Sequence, residues 1–166
     1  MPLRVAFLGS AVYAALLLAC AAASAAGSAQ RSDALIGVWE YDGSRSVFIG
    51  DNPYRSGKTT FTNTPQGLHV LAEIILGGGS LLRFEYHDPG DGTFVPVTGN
   101  PFYDSESTVW ADKLTAVRTE KRKDKTTGVT TFKVAPDGQT YTASASRSLP
   151  QGGTYTSVIV WKRVRK

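Results

Sequence analysis

From residue 35 to its end, the chain alternates short runs of β-forming residues with clusters of turn-forming residues, and no stretch keeps a helical period. The runs are rich in Val, Ile, Thr and aromatic residues, and Gly, Pro, Asn and Asp separate them. This pattern predicts nine or ten short antiparallel strands. The predicted strands cover residues 35–41, 58–64, 68–76, 80–87, 93–97, 107–111, 114–121, 128–134, 139–147 and 154–165.

Short turns join nearly all of these strands. The expected turns are Gly77-Gly78-Gly79, Thr126-Thr127-Gly128, Pro136-Asp137-Gly138 and Gln151-Gly152-Gly153. Asp137-Gly138 suits a primed two-residue turn. Residues 44–57 are predicted to be irregular, and a short helix over a barrel mouth is the alternative there. Short connections favour pairing in chain order, and closing such a sheet removes its edges. We therefore predict an all-β, up-and-down antiparallel β-barrel of about 8–10 strands; a β-sandwich is the alternative.

The first 29 residues differ in composition from the rest and read as an export signal. Arg4 is their single charged side chain, a mostly apolar run covers residues 5–18, and small residues fill 19–29. This order matches a secretory signal peptide. We predict a signal peptide over residues 1–29, cleaved after Ala25 or Ala29, followed by one domain over residues 30–166. An uncleaved anchor is the alternative, although the apolar run is shorter than the roughly 20 residues that span a bilayer.

Cys20 opens a second processing route. Leu17-Leu18-Ala19-Cys20 resembles a bacterial lipobox, in which the Cys becomes the lipidated first residue of the mature protein. Lipidation would make the protein an envelope lipoprotein held at the membrane; without it, a periplasmic or secreted location is expected. Cys20 is the only cysteine, so no intrachain disulfide forms and the core alone must hold the fold.

The net charge of +4 at pH 7 is a mild excess, and its basic residues cluster at 121–125 and 162–166. Few aromatic residues accompany these clusters, so nucleic acid is not predicted as a partner. We interpret the clusters as a solvated hairpin tip and a C-terminal tail. Attraction to an anionic envelope surface is the alternative, and the sequence leaves the oligomeric state open.

No pattern of catalytic or metal-binding residues is evident. The two histidines, His69 and His87, belong to no nucleophile motif, and Ser105 lies in an acidic loop rather than a triad. The acidic residues of 104–112 are too scattered for a predicted metal site. Haem held by His87 and catalysis in the barrel mouth are the weaker alternatives. We predict no catalytic residue, no metal and no cofactor.

An apolar interior pocket is the remaining candidate site, since small barrels can hold one ligand. The aromatic residues expected to line it are Phe84, Tyr86, Trp110, Phe132 and Tyr141. Small residues over 140–146 leave volume inside, which favours a cavity. A filled core without a ligand is the alternative.

Four segments carry a resemblance to a known family. They are Gly37-Val38-Trp39, residues 96–101 (Pro-Val-Thr-Gly-Asn-Pro), residues 136–142 around Pro-Asp-Gly, and Trp161-Lys162-Arg163. In this order and spacing the chain resembles the lipocalin-like (calycin) group, and more closely a set of small exported bacterial proteins described as lipocalin-like. The resemblance covers most of residues 35–164 and implies no settled activity.

The resemblance also implies a structure at the closed end of the barrel. In lipocalins the Trp of this motif packs there against an Arg of the last strand, which would place Trp39, after Gly37, under Arg163. A guanidinium on an indole face contributes about 0.5–2 kcal/mol. We therefore expect an exported, non-catalytic binder of a small, largely apolar ligand. A structural or interaction module of the cell envelope, with a filled barrel, is the alternative.

Overall fold

The protein was analysed as a computed structural model, which describes residues 33–49, 54–148 and 152–165. The predicted signal peptide and Cys20 lie outside these residues and stay predictions. Within them, two short 3₁₀ helices cover Asp33–Leu35 and Gly43–Arg45. Neither of these helices is long and apolar enough to cross a bilayer.

Eleven strands occupy most of the described residues. They are β1 (Gly37–Tyr41), β2 (Val47–Ile49), β3 (Tyr54–Thr64), β4 (Gly67–Leu76), β5 (Leu81–Asp88), β6 (Val95–Pro96), β7 (Ser105–Trp110), β8 (Thr115–Arg122), β9 (Lys125–Val134), β10 (Thr140–Ser148) and β11 (Thr154–Arg163).

The strands form one antiparallel sheet in the order β5-β4-β3-β1-β11-β10-β9-β8-β7-β6, with β2 paired on β11. β1 and β11, the first and last strands, are neighbours, with Trp39 opposite Arg163. The two ends of the sheet meet where Glu85 of β5 and Thr98, just after β6, exchange two backbone hydrogen bonds of 3.0 Å each. This geometry confirms the predicted up-and-down barrel.

The hairpin between β8 and β9 corrects one predicted turn. Lys123 and Asp124 both have positive φ, 50° and 63°, which is the conformation of a primed two-residue turn and one that Asp tolerates. Thr126, Thr127 and Gly128, predicted as this turn, lie inside β9 instead. The basic cluster at 121–125 is therefore a hairpin tip.

Gly128 serves close packing rather than a turn. It pairs with Glu120 on one side and Arg147 on the other. A Cβ at this position would lie 2.6 Å from Arg147 Cγ and 2.9 Å from Glu120 Oε2. The glycine thus leaves room for an ion pair inside the barrel.

The turn at Pro136-Asp137-Gly138 is longer than predicted. Five residues, 135–139, separate β9 from β10, and only Gly138 among them has positive φ, at 66°. The Gly138 N–H donates to the Ala135 carbonyl over 2.8 Å. The loop therefore has one left-handed residue, Gly138, at its fourth position, and the two-residue turn predicted there is wrong. Other predicted bounds also shift: β3 begins at Tyr54, and β6 is only two residues long.

Arg163 covers one end of the barrel. Its Cζ lies 4.1 Å from the Trp39 ring centroid, and Trp39 is fully buried. The guanidinium donates three hydrogen bonds of 2.6–2.7 Å, to the carbonyls of Ala34, Ile36 and Gly138. The contact therefore ties the chain before β1, the β9–β10 loop and the last strand together.

Gly37 makes this end geometrically feasible. Its φ of 132° lies where L side chains are rarely found, and a Cβ there would approach Arg163 Nη1 to 2.6 Å. The Trp39 indole N–H donates to the Leu35 carbonyl over 2.7 Å. The Gly-x-Trp spacing thus leaves the guanidinium space above the indole.

Candidate functional site

The barrel encloses a cavity of about 60 Å³. Four of the five aromatic residues proposed as ligand contacts lie in its wall: Phe84, Tyr86, Phe132 and Tyr141. The fifth, Trp110, is partly buried and packs against the core without lining the cavity. Their role in binding a ligand stays a prediction.

One side of the cavity is apolar and aromatic. Tyr141 lies at its centre, stacked on Trp161 with centroids 5.9 Å apart and edge-on to Trp39 at 4.9 Å. Phe61 and Phe132 complete the cluster at 5.9 and 6.2 Å from Tyr141. Aromatic pairs in such geometries each contribute about 0.5–1.5 kcal/mol beyond the burial of their surface.

The other side carries a buried cation. Arg118 of β8 is 6 % exposed, and its Cζ lies 4.9 Å from the ring of Phe132, 5.4 Å from Tyr103 and 6.0 Å from Tyr86. Its Nη1 donates to the Tyr86 hydroxyl over 2.8 Å. Three rings and one hydroxyl thus replace part of the water that a guanidinium loses on burial.

Glu120 balances this cation and a second one. Arg118 donates to Glu120 Oε1 from Nε and Nη2, at 3.0 and 2.7 Å. Arg147 of β10 donates from Nε to Oε2 over 2.6 Å and from Nη2 to Oε1 over 2.8 Å, and the Thr130 hydroxyl donates to Oε1 over 3.0 Å. Burial opposes ionisation of Glu120, but the two guanidiniums prevail and lower its pKa to about 2. It is therefore ionised at neutral pH.

Glu106 of β7 lies beside this network and behaves oppositely. Its side chain is fully buried, and burial, reinforced by Asp88, raises its pKa to about 8. Burial also raises the pKa of Asp88, although its Oδ1 accepts the Gly90 N–H over 2.7 Å. The Thr108 hydroxyl donates to Glu106 Oε2 over 3.0 Å. At neutral pH, Glu106 is mainly protonated inside the barrel.

Two buried polar atoms of this region have no hydrogen-bond partner among the described residues. They are the Tyr103 hydroxyl and Glu106 Oε1. Tyr103 is 2 % exposed and lines the cavity beside Arg118. Buried polar groups nearly always have a partner, and of these two residues only Tyr103 lines the cavity.

The sequence reasoning missed this network entirely. Ala116, Arg118 and Glu120 share one face of β8 with period two, while Val117 and Thr119 share the other. Apolar and polar residues occur on both faces, so alternation alone does not show which face is buried. The signal available was the short spacing of opposite charges, Arg118 and Glu120, on a single face.

Both histidines lie outside the interior. His69 of β4 and His87 of β5 are opposite each other on the outer face, because Leu68, Val70, Tyr86 and Asp88 turn inward. Within the described residues, no imidazole therefore lines the cavity. The interior chemistry rests on guanidinium, carboxyl and phenol groups.

Comparisons with known proteins give similarity of architecture only. No protein-family model matches the chain, and the curated proteins include no match to it. The zebrafish ileal bile acid-binding protein, solved with cholic acid, is 11% identical, with a TM-score of 0.46 over 79% of this chain and 99% of its own. The siderocalin Ex-FABP, described as having dual ligand specificities, is also 11% identical, with a TM-score of 0.36 over 80% of this chain and 76% of its own. The strand order of this chain and the bridge between Glu85 and Thr98 define its fold.

Proposed function

We propose that this protein is a non-catalytic binding protein whose barrel interior takes a small molecule with an apolar body and a head that accepts hydrogen bonds. One observation carries this proposal: the unpartnered Tyr103 hydroxyl and the Arg118 guanidinium face the same cavity as an aromatic wall. Pockets that bind small molecules combine a mostly apolar lining with a few polar groups in this way.

The donors at the polar side favour an acceptor on the ligand. Arg118 has five N–H donors, and three of them form hydrogen bonds to Glu120 and Tyr86. The Tyr103 O–H has no acceptor among the residues that the structure describes, and leaving a buried hydroxyl unpaired costs about 1–3 kcal/mol. A carboxylate or hydroxyl oxygen of a ligand would satisfy both groups, whereas an ammonium would meet the guanidinium with like charge.

Native mass spectrometry with three eight-carbon probes tests this preference, because the probes differ only in their heads. We expect 1:1 complexes with octanoate and 1-octanol and none with octylamine. The four-carbon counterparts of these probes show how much the length of the apolar chain contributes to affinity. Equal binding of all three heads would contradict the polar contact, and the absence of every complex would contradict the binding function itself.

The Tyr103→Phe variant tests the hydroxyl directly. Because this group has no partner in the structure, removing it should leave the free energy of unfolding unchanged or slightly higher. Octanoate affinity should fall about tenfold, the equivalent of one lost hydrogen bond. Tyr155→Phe, which changes a half-buried phenol outside the cavity wall, is the matched control. Unchanged octanoate affinity in Tyr103→Phe would show that the ligand does not reach this hydroxyl.

The cavity volume favours a second candidate, a filled barrel that acts through its surface in the cell envelope. A volume of about 60 Å³ is well below the roughly 300–1,000 Å³ of pockets for drug-sized ligands. The first proposal therefore requires either a ligand of a few heavy atoms or movement of interior side chains. Cross-linked envelope partners, together with failure of all the probes to bind, would favour the second candidate.

We also propose that the barrel is exported, as residues 1–29 suggest. Intact-mass analysis of the protein from envelope and secreted fractions checks this. A start at residue 26 or 30 would indicate a cleaved signal peptide. A lipid adduct that disappears in Cys20→Ala would indicate the lipoprotein. An uncleaved chain in the cytoplasm would contradict export.

A further inference from the structure

The outer face of β4 and β5 carries both histidines of the chain side by side. His69 and His87 occupy directly opposite positions of the two strands, and their rings stack with centroids 4.7 Å apart and planes 26° apart. Residues opposite each other in an antiparallel pair have Cβ atoms about 4.5–5.5 Å apart. The sheet register therefore fixes the separation of two imidazoles on a rigid part of the barrel.

A carboxylate completes the group. Glu85 Oε2 lies 3.4 Å from His69 Nε2. Two ligands of a tetrahedral zinc ion, each about 2.0–2.1 Å from the metal, are about 3.3 Å apart. The His69–Glu85 pair thus already has the separation that one metal ion would require.

Thr64 contacts the second histidine in its present orientation. Its Oγ1 lies 3.4 Å from His87 Nδ1. This contact belongs to the orientation in which the His87 ring stacks on His69. His69, Glu85 and His87 also line one surface groove with Gln66 and Pro89, which leaves a ligand position open to water or a small molecule.

We propose that His69, Glu85 and His87 form a surface site for a divalent transition metal of the Zn²⁺ class. Within the described residues no three such groups are placed to hold a metal ion as they stand, and the His87 ring stacks on His69. The proposal requires the His87 side chain to turn away from this stacked orientation, which would also release its contact with Thr64. This site lies on the outer face, so it is independent of the interior binding function.

Titration of the tag-free full chain with Co²⁺ tests this proposal. Cys20→Ser serves as the background, since it removes the only thiol. We expect one equivalent of Co²⁺ with the visible absorption of a tetrahedral site, displaced by Zn²⁺. His69→Ala and His87→Ala should each weaken binding about 100-fold. Thr64→Val removes a contact of the stacked His87 orientation only, so it should leave Co²⁺ affinity unchanged or slightly higher.

The control is Glu73→Gln. It alters an outward carboxylate of β4, the strand that carries His69, and this carboxylate pairs with Lys58 and Arg83 instead. It should leave Co²⁺ affinity unchanged, whereas Glu85→Gln should lower it. Circular dichroism of each variant verifies that the barrel is folded. Absence of saturable Co²⁺ binding, or binding that both histidine variants retain, would overturn the proposal.

Discussion

Replacing Glu120 with alanine is expected to lower the free energy of unfolding by about 3–5 kcal/mol, the cost of breaking a buried ion pair. Glu120 is fully buried and accepts from Arg118, Arg147 and Thr130 at 2.6–3.0 Å. Without it, two guanidiniums would remain inside the barrel with no anion between them. Urea unfolding followed by tryptophan fluorescence measures the loss.

Two comparisons separate this effect from a general loss of packing. Glu73→Ala, at an exposed ion pair on β4, should change stability by less than about 0.5 kcal/mol. The triple variant Arg118→Met, Glu120→Leu, Arg147→Met removes all three charges together and should be much more stable than Glu120→Ala, because apolar replacement of a whole buried ion network is often neutral. A loss below about 1 kcal/mol in Glu120→Ala would contradict the network.

Glu106→Gln is expected to remove a pH dependence of stability between about pH 4.5 and 8. Burial raises the pKa of Glu106 from 4.5 to about 8 in the folded protein. The folded state keeps this proton in that window and the unfolded state does not, so the wild type loses stability as the pH rises. The variant carries no proton to lose, and should exceed the wild type by roughly 2–4 kcal/mol at pH 8 while nearly equalling it at pH 5.

Urea unfolding at pH 5, 6, 7 and 8 on wild type and variant measures this difference. Groups that titrate in both proteins, including Asp88, contribute equally to the two free energies of unfolding. Their contributions cancel in the difference between wild type and variant unless they couple to Glu106. Glu40→Gln, at an exposed position of β1, should follow the wild-type slope. Glu120 acts in the opposite direction: its pKa is lowered to about 2, so its contribution is present above about pH 4.5 and is lost as the pH falls toward 2. Parallel slopes in wild type and Glu106→Gln would contradict a protonated interior Glu106.

Most of the fold follows from local sequence signals. Alternation in Leu68 to Leu76 and in Leu81 to Asp88 set two neighbouring strands, and the glycines at 77–79 set the turn between them. Where residues serve packing, the local signals mislead. Gly128 is a turn-forming residue type, but in β9 it leaves space for Arg147. The turn itself consists of Lys123 and Asp124 and contains no glycine.

The interior was harder to predict because its chemistry comes from residues on strands that are not neighbours in the sheet. Glu120 meets Arg147, 27 positions along the chain, and Arg118 meets Tyr86, 32 positions away. Neither pair leaves a motif in the sequence, since Glu120 and Arg147 meet across Gly128 of β9 and Arg118 and Tyr86 meet across the barrel interior. Trp110 shows the converse: an aromatic residue on an inward-facing position still misses the cavity, because it sits where β7 ends.

The central claim is that a ligand occupies the barrel interior, and NMR of the aromatic rings during octanoate titration tests it most directly. The account predicts saturable shifts of the Tyr103, Phe132 and Tyr141 ring signals, which line the cavity, with the methyl signals of the outward-facing Val117 and Val158 unchanged. Shifts confined to those valines, or none at any concentration of octanoate or of its four-carbon counterpart, would contradict it.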